Sequence, residues 1–168
     1  MSRVYVVGGE NGTLGTGSVL LAMRTAADGV TAGGQLAIRR IEVFQNASTT
    51  SGQCRAEVFK RDTAGTLTMT SVTPQPLSPI VGPASAISGS TAPAGTAARV
   101  GFNSSADSGG TYVSIYQVNF NNLNGWLWVP TPTEVIEIPP ATVWGVRFIA
   151  NPTGTTGWGI AVTYEELA

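Results

Sequence analysis

Few residues in this chain are equipped for chemistry. There are ten carboxylates, nine basic side chains, one cysteine and no histidine. The absence of His removes the commonest general base and the commonest transition-metal ligand together. With Cys54 as the single thiol, one chain cannot assemble a Cys/His zinc site or an iron–sulfur site, nor a Ser–His–Asp or Cys–His arrangement. Paired carboxylates remain, as Glu134 with Glu137 and Glu165 with Glu166. A glycosidase pair must face one bond across a cleft. Glu134 and Glu137 fall on opposite faces of a regular strand, and Glu165 and Glu166 are sequence neighbours, so both pairs read as solvated strand ends. Asp107 is the single carboxylate within residues 103–109, too few oxygen donors for calcium. No catalytic, cofactor-binding or metal-ligating residue is assigned, and the chain is expected not to be an enzyme.

The glycine run GGENGTLGTG at residues 8–17 follows a β-rich stub, RVYVV, as a dinucleotide fingerprint would. Its spacing is GxxGxG rather than GxGxxG, no Walker lysine follows it, Lys60 being far away, and the alternating helices of a parallel sheet are missing. It reads instead as part of a flexible N-terminal arm over residues 1–17, or as a hairpin turn. Sequons at Asn11, Asn46 and Asn103 imply loop chemistry only, because no secretory signal pattern is visible at the start. The densest basic group, Arg39, Arg40, Arg55, Lys60 and Arg61, is interleaved with Glu42, Glu57 and Asp62. It forms no stripe suited to phosphates, so nucleic acid is not an expected partner. No apolar run approaches membrane-span length, so a membrane is not expected either.

The aromatic residues are the remaining candidates. Residues 125–149 hold three of the four Trp and four of the ten Pro. Trp126 and Trp128 point one way from a strand, Leu127 and Val129 the other. With Trp144, Trp158, Tyr112 and Tyr116 they could form a platform for sugars, but the inter-sheet core or a subunit interface is the expected place for them. Proline at this density excludes helix. The Pro pairs are read as corners that pass the chain from one sheet to the other.

The elements positioning these residues read as short strands throughout. Residues 35–45 carry an alternation whose phase shifts near Arg39-Arg40, which implies a bulge or an edge. Residues 53–60 alternate Cys54, Ala56 and Val58 inward, making Cys54 a small buried thiol. Residues 66–72 and 98–103 are further strands, and residues 18–25 fit strand or helix. Residues 111–120 place Tyr112, Tyr116, Val118 and Phe120 on one face, and Asn124-Gly125 signals a hairpin after them. Residues 158–164 alternate Trp158, Ile160, Val162 and Tyr164 against small residues. Residues 73–98 form a long, uncharged loop rich in Pro, Ala, Ser and Thr, of the kind that is functional or disordered. Strands at this spacing predict an all-β protein: an antiparallel β-sandwich of jelly-roll type with about eight strands. The expected organisation is an arm at 1–17 and a single domain at 18–168. Hydrophobic residues make up 42% and charged residues 11%, against about a quarter charged in ordinary globular chains. Such a neutral polar surface suits a protein covered by partners or facing an external medium.

Several stretches together resemble a group of bacteriophage virion proteins. These are the strand at 38–44, EVFKRDTAGT at 57–66, and the Pro/Ala/Ser/Thr-rich excursion after it. Trp128-Val129-Pro130, EVIEIPP at 134–140 and VTYEEL at 162–167 complete the set. The resemblance, to head decoration (cement) or accessory virion proteins, implies a jelly roll that assembles as a homotrimer and stabilises or decorates a capsid. It implies binding to the major capsid protein lattice, no catalysis, and a location in the virion after synthesis in the host cytoplasm. No functional residue carries over, since the pattern has no catalytic motif. The alternative expectation is a lectin-like, carbohydrate-binding sandwich module, as on a phage tail or fibre.

Overall fold

A computed structural model describes residues 3–14, 19–25, 35–46, 48–61, 70–77, 99–102, 111–140, 142–150, 152 and 154–167. Twelve strands occur among them: β1 (Arg3–Thr13), β2 (Val19–Arg24), β3 (Gln35–Gln45), β4 (Gln53–Arg61), β5 (Thr70–Ser71), β6 (Gln75–Pro76), β7 (Arg99–Phe102), β8 (Tyr112–Asn121), β9 (Trp126–Trp128), β10 (Ile136–Ile138), β11 (Val143–Phe148) and β12 (Thr156–Leu167). Expected strand positions within 62–69 lie outside the described residues, as do Gly15–17, residues 78–98 and the turn at 103–110 that holds Asp107 and Asn103.

All pairings are antiparallel, in two six-stranded sheets. The first runs β10-β3-β12-β1-β6, with β9 also on β3; the second runs β5-β7-β2-β11-β4-β8. The first strand pairs with the last, the second with the penultimate, and β3 and β4 flank them in turn. The chain changes sheet at each step from β1 to β4 and again from β10 to β12, while β4 and β8 pair within one sheet, which is the double-sheet jelly roll. Its nucleus is β1-β12-β3 with β9 and β10, facing β2-β11-β4-β8. The excursion between β4 and β8 adds β6 to one sheet and β5 and β7 to the other, at the same side of the sandwich.

One expectation is overturned. Residues 3–13, read as most of a flexible arm, form β1, paired with β12 from Arg3↔Glu166 to Thr13↔Thr156. Tyr5 and Val7 are buried in the inter-sheet core. Five alternating residues were too short a pattern to reveal a strand whose second half is glycine-rich. Residues 19–24, ambiguous in sequence, are β2, and every one of them is buried. That is why no alternation was visible: Leu20, Leu21 and Met23 enter the main core, while Val19 and Ala22 join Phe59 and Val143 in a second apolar cluster.

The bulge expected near Arg39-Arg40 is present. The register passes from Thr163↔Arg40 to Tyr164↔Ile38, leaving Arg39 as the extra residue. The insertion lets both Ile38 and Ile41 face the core while Arg39 and Arg40 face solvent. A second bulge, unforeseen, leaves Ile115 extra between Val58↔Tyr116 and Phe59↔Ser114. It breaks the single aromatic face expected for β8. Tyr112 packs beside Phe59 on the second cluster, whereas Phe120 belongs to the core between the sheets.

Of the Pro corners, only Pro139-Pro140 passes the chain between sheets, from β10 to β11. Pro130 and Pro132 lie in a seven-residue excursion at 129–135 between β9 and β10, which both pair with β3. Trp128↔Ile41 and Ile136↔Ile38 leave only Arg39 and Arg40 unmatched across it. The excursion therefore leaves the sheet where the bulge interrupts β3.

The second sheet packs most tightly at Gly145. A Cβ there would sit 2.4 Å from the Leu21 carbonyl oxygen and 2.8 Å from Phe59 Cζ. Gly145→Ala is expected to destabilise the fold by about 1–3 kcal/mol through overpacking, read as a lowered denaturant midpoint with unchanged slope. No effect would show that β2 and β4 are less closely held than described.

Candidate functional site

β8 is the edge strand of one sheet and β9 lies on the edge of the other, on the same side of the sandwich. The turn joining them is an inter-sheet corner, not the hairpin expected from Asn124-Gly125. Its geometry rests on two residues. Gly125 has φ +67° and stands where a Cβ would lie 2.6 Å from the Val43 carbonyl oxygen, so only glycine fits. Asn122, 1% exposed, ties the corner to the β3–β4 loop. Its Oδ1 accepts from Gly52 N–H at 2.7 Å. Its Nδ2 donates to Gln45 Oε1 (2.7 Å) and the Thr50 carbonyl (2.9 Å), with Ser48 Oγ also within reach at 3.1 Å. A buried amide so fully satisfied specifies one arrangement.

The corner holds a run of aromatic rings leading from core to surface. Trp158, fully buried, packs at 4.7 Å from Phe148 and edge-on at 6.0 Å to Phe120. Phe120 lies 6.5 Å from Trp126, which stacks at 6.1 Å and 22° on Tyr116. Each such pair adds about 0.5–1.5 kcal/mol beyond simple area burial. Tyr116 from one sheet and Trp126 from the other thereby close the open side of the sandwich, while Trp126 and Trp128 stay half-buried and Tyr116 exposed. The four tryptophans thus divide: Trp144 and Trp158 are core, and Trp126 and Trp128 line this edge.

Exposed apolar side chains concentrate on the same side. Among the described residues eight large hydrophobics are exposed, and six of them belong to this edge: Val113, Ile115, Tyr116, Leu123, Leu127 and Val129, at 39–63%. The other two, Val4 and Leu77, adjoin one another at the far edge of the first sheet, where Leu77 N–H donates to the Val4 carbonyl. Residues 108–133 contain no Asp, Glu, Lys or Arg. Among the described residues charged groups stand at its rim, where the exposed Lys60 lies opposite Val113. Leu127 lies opposite Glu42, which is paired with Arg40 at 2.7 Å. Arg55 donates to Gln117 at 2.6 Å.

The carboxylates singled out in sequence do not converge. Glu134 accepts from the backbone N–H and hydroxyl of Thr131 in the 131–134 turn. Glu137 accepts from Gln35 (3.3 Å), and Glu165 pairs with Arg39. Glu166 is buried on the opposite face of β12. No group of three or more Cys, Asp and Glu side chains with metal-binding geometry occurs among the described residues. Cys54 is buried. Asn46 donates to Glu10 at 3.2 Å. Asn11 falls within β1.

One charged constellation went unforeseen. On the outer face of the second sheet, Arg147 Nε donates to Glu57 Oε1 at 2.5 Å, and its guanidinium lies 3.7 Å over the Tyr112 ring. Gln117 donates to the other Glu57 oxygen at 3.3 Å. Cross-strand register assembles the set from β4, β8 and β11 (Arg147↔Glu57↔Gln117), and no sequence spacing could reveal it. Burial raises the Tyr112 hydroxyl above its ordinary value of 10.0, against the lowering charges of Arg61 and Arg147.

Comparison with protein-family models, with curated proteins and with solved structures finds no match for this chain.

Two predictions test the electrostatics. Glu57→Gln should cost about 3 kcal/mol, because it leaves the largely buried Arg147 charge without its partner. Glu42→Gln, in the exposed Arg40 pair, should cost less than about 0.5 kcal/mol. Equal effects in chemical denaturation would contradict the burial difference. For Tyr112, a raised folded pKa gives stability that is complete below pH 10 and lost as pH rises through the folded value. Tyr112→Phe should therefore flatten the decline in Tm between about pH 9 and about pH 11, and an unchanged decline would assign it to other groups.

Proposed function

We propose that this chain is a structural protein that works by assembly, as an accessory part of a bacteriophage particle that decorates or stabilises the head through lattice and inter-subunit contacts. The observation carrying the proposal is the gathering of six of eight exposed large hydrophobics on one uncharged side of a jelly roll. An apolar patch on this scale, rimmed by polar residues, marks an interaction surface. A surface poor in charge is what a protein largely covered by neighbours can sustain. The virion setting rests on the sequence resemblance at 38–44, 57–66, 128–130, 134–140 and 162–167, and a non-catalytic role accords with it. The capsid lattice, the trimeric state and the location in the particle are parts of the same proposal.

A carbohydrate-binding role is the second reading. It is favoured by the Tyr116–Trp126 stack, which lies at the surface with Tyr116 exposed. Yet the rings stack on one another rather than side by side, leaving at most one face for a sugar.

The test is co-sedimentation. Particles assembled without this chain, from the phage that encodes it, should take up the purified protein saturably, at a fixed ratio to the major capsid protein. Absence of uptake, with a glycan array giving saturable binding abolished by Tyr116→Ala, would replace the first reading by the second.

A further inference from the structure

We infer that the β8–β9 side is a self-association surface, on which a second copy of this chain seats the same side about a two-fold axis. The inference rests on the assembling role proposed above, but it does not depend on the virion setting and stands against the trimeric state that goes with that setting.

Three features select a second copy over other occupants. The first is charge. A run of 26 residues, 108–133, carries none, so an acidic, basic or phosphorylated partner would find no counter-charge at the centre of the patch. An isologous contact brings each residue near its own copy or a near neighbour, and any charge there would repel. The charges at its rim are few: Arg40 is paired with Glu42 within the subunit, Arg55 is hydrogen-bonded to Gln117, and Lys60 lies opposite Val113.

The second feature is the strand. β8 is ten residues long and bonded to β4 on one side, at the end of its sheet among the described residues. It exposes residues of both faces, from Val113 to Gln117. It holds no Lys, no Pro and no inward-pointing charge, the devices by which monomeric proteins blunt an edge. The bulge at Ile115 is the one blunting feature. It leaves Tyr116 to Asn121 as a regular six-residue stretch. Antiparallel pairing of that stretch with its own copy satisfies backbone groups on both subunits.

The third feature is scale. The six side chains expose on the order of a few hundred Å² of apolar surface. That matches the apolar share of a standard interface burying about 800 Å² per partner. The opposite edge fits poorly as the matching half of a head-to-tail contact. Among the described residues it offers Val4 and Leu77, beside the exposed Arg3, and β6 at its edge is two residues long with Pro76 lacking a donor.

Sedimentation velocity and light scattering of the purified full chain, across a concentration series reaching about 100 µM, give the test. A dimer is expected. Val113→Lys and Leu127→Glu, made separately, should each weaken association at least ten-fold while retaining a cooperative melt. Leu77→Glu at the far edge should leave it unchanged. A monomer throughout the series overturns the inference. So does a closed trimer, or association that survives both edge charges, or association lost on Leu77→Glu. If Val113→Lys fails to fold, Leu127→Glu alone decides, since its side chain is more than half exposed. A charge-sensitive dimer that is not taken up by capsid particles would refute the virion setting and leave the inference standing.

Discussion

The structure depends on where the last strand goes. β12 inserts between β1 and β3, pairing with both along most of its length. Its inward row, Trp158, Ile160, Val162 and Tyr164, is fully buried. Burial of such side chains contributes about 1.5–3 kcal/mol each, so this row is the largest single block of the core. The pairing also joins the two ends of the chain, and long-range pairing of this kind must overcome loop-closure entropy before it is rewarded. Once β12 is seated, β11 falls between β2 and β4 in the facing sheet, and the roll is closed.

From that closure follows the contrast between the two sides of the sandwich. On one side the excursion after β4 extends both sheets with β5, β6 and β7. On the other, β8 and β9 end their sheets, and aromatic stacking between Tyr116 and Trp126 spans the gap. The buried Asn122 holds the corner between them, so the apolar edge is presented on a rigid support rather than on a free loop. The ion pair of Arg147 and Glu57, covered by Tyr112, stiffens the adjoining face of the second sheet. Among the described residues apolar exposure is thus concentrated on one side, which accords with the assembling role proposed here.

The chain's arithmetic foretold much of the architecture. Alternation at 53–60 and 158–164 has a period of two wherever one face is core, and those strands appear where expected. The jelly roll itself followed from strand number and spacing. Alternation failed where its physical premise failed. β2 is buried on both faces, so it carries no alternation. β1 loses side-chain contrast at its glycines, so its pattern reads as an arm. β8 changes phase at Ile115, and nothing in YVSIYQVNFN announces a bulge.

The same boundary separates what the sequence determined about function from what only the tertiary structure decided. Composition alone removed histidine chemistry and thiolate metal sites, because a side chain that is absent cannot be supplied by folding. It also determined that residues 108–133 would be uncharged. Which aromatics would be core and which surface was decided by the fold. Trp126 and Trp158 have similar strand contexts, yet one lies on an edge strand and the other at the centre of a sheet. Likewise Glu57, Arg147 and Tyr112 are far apart in the chain and meet through cross-strand register alone. Local pattern records which way a side chain points; only the pairing of distant strands determines what it points at.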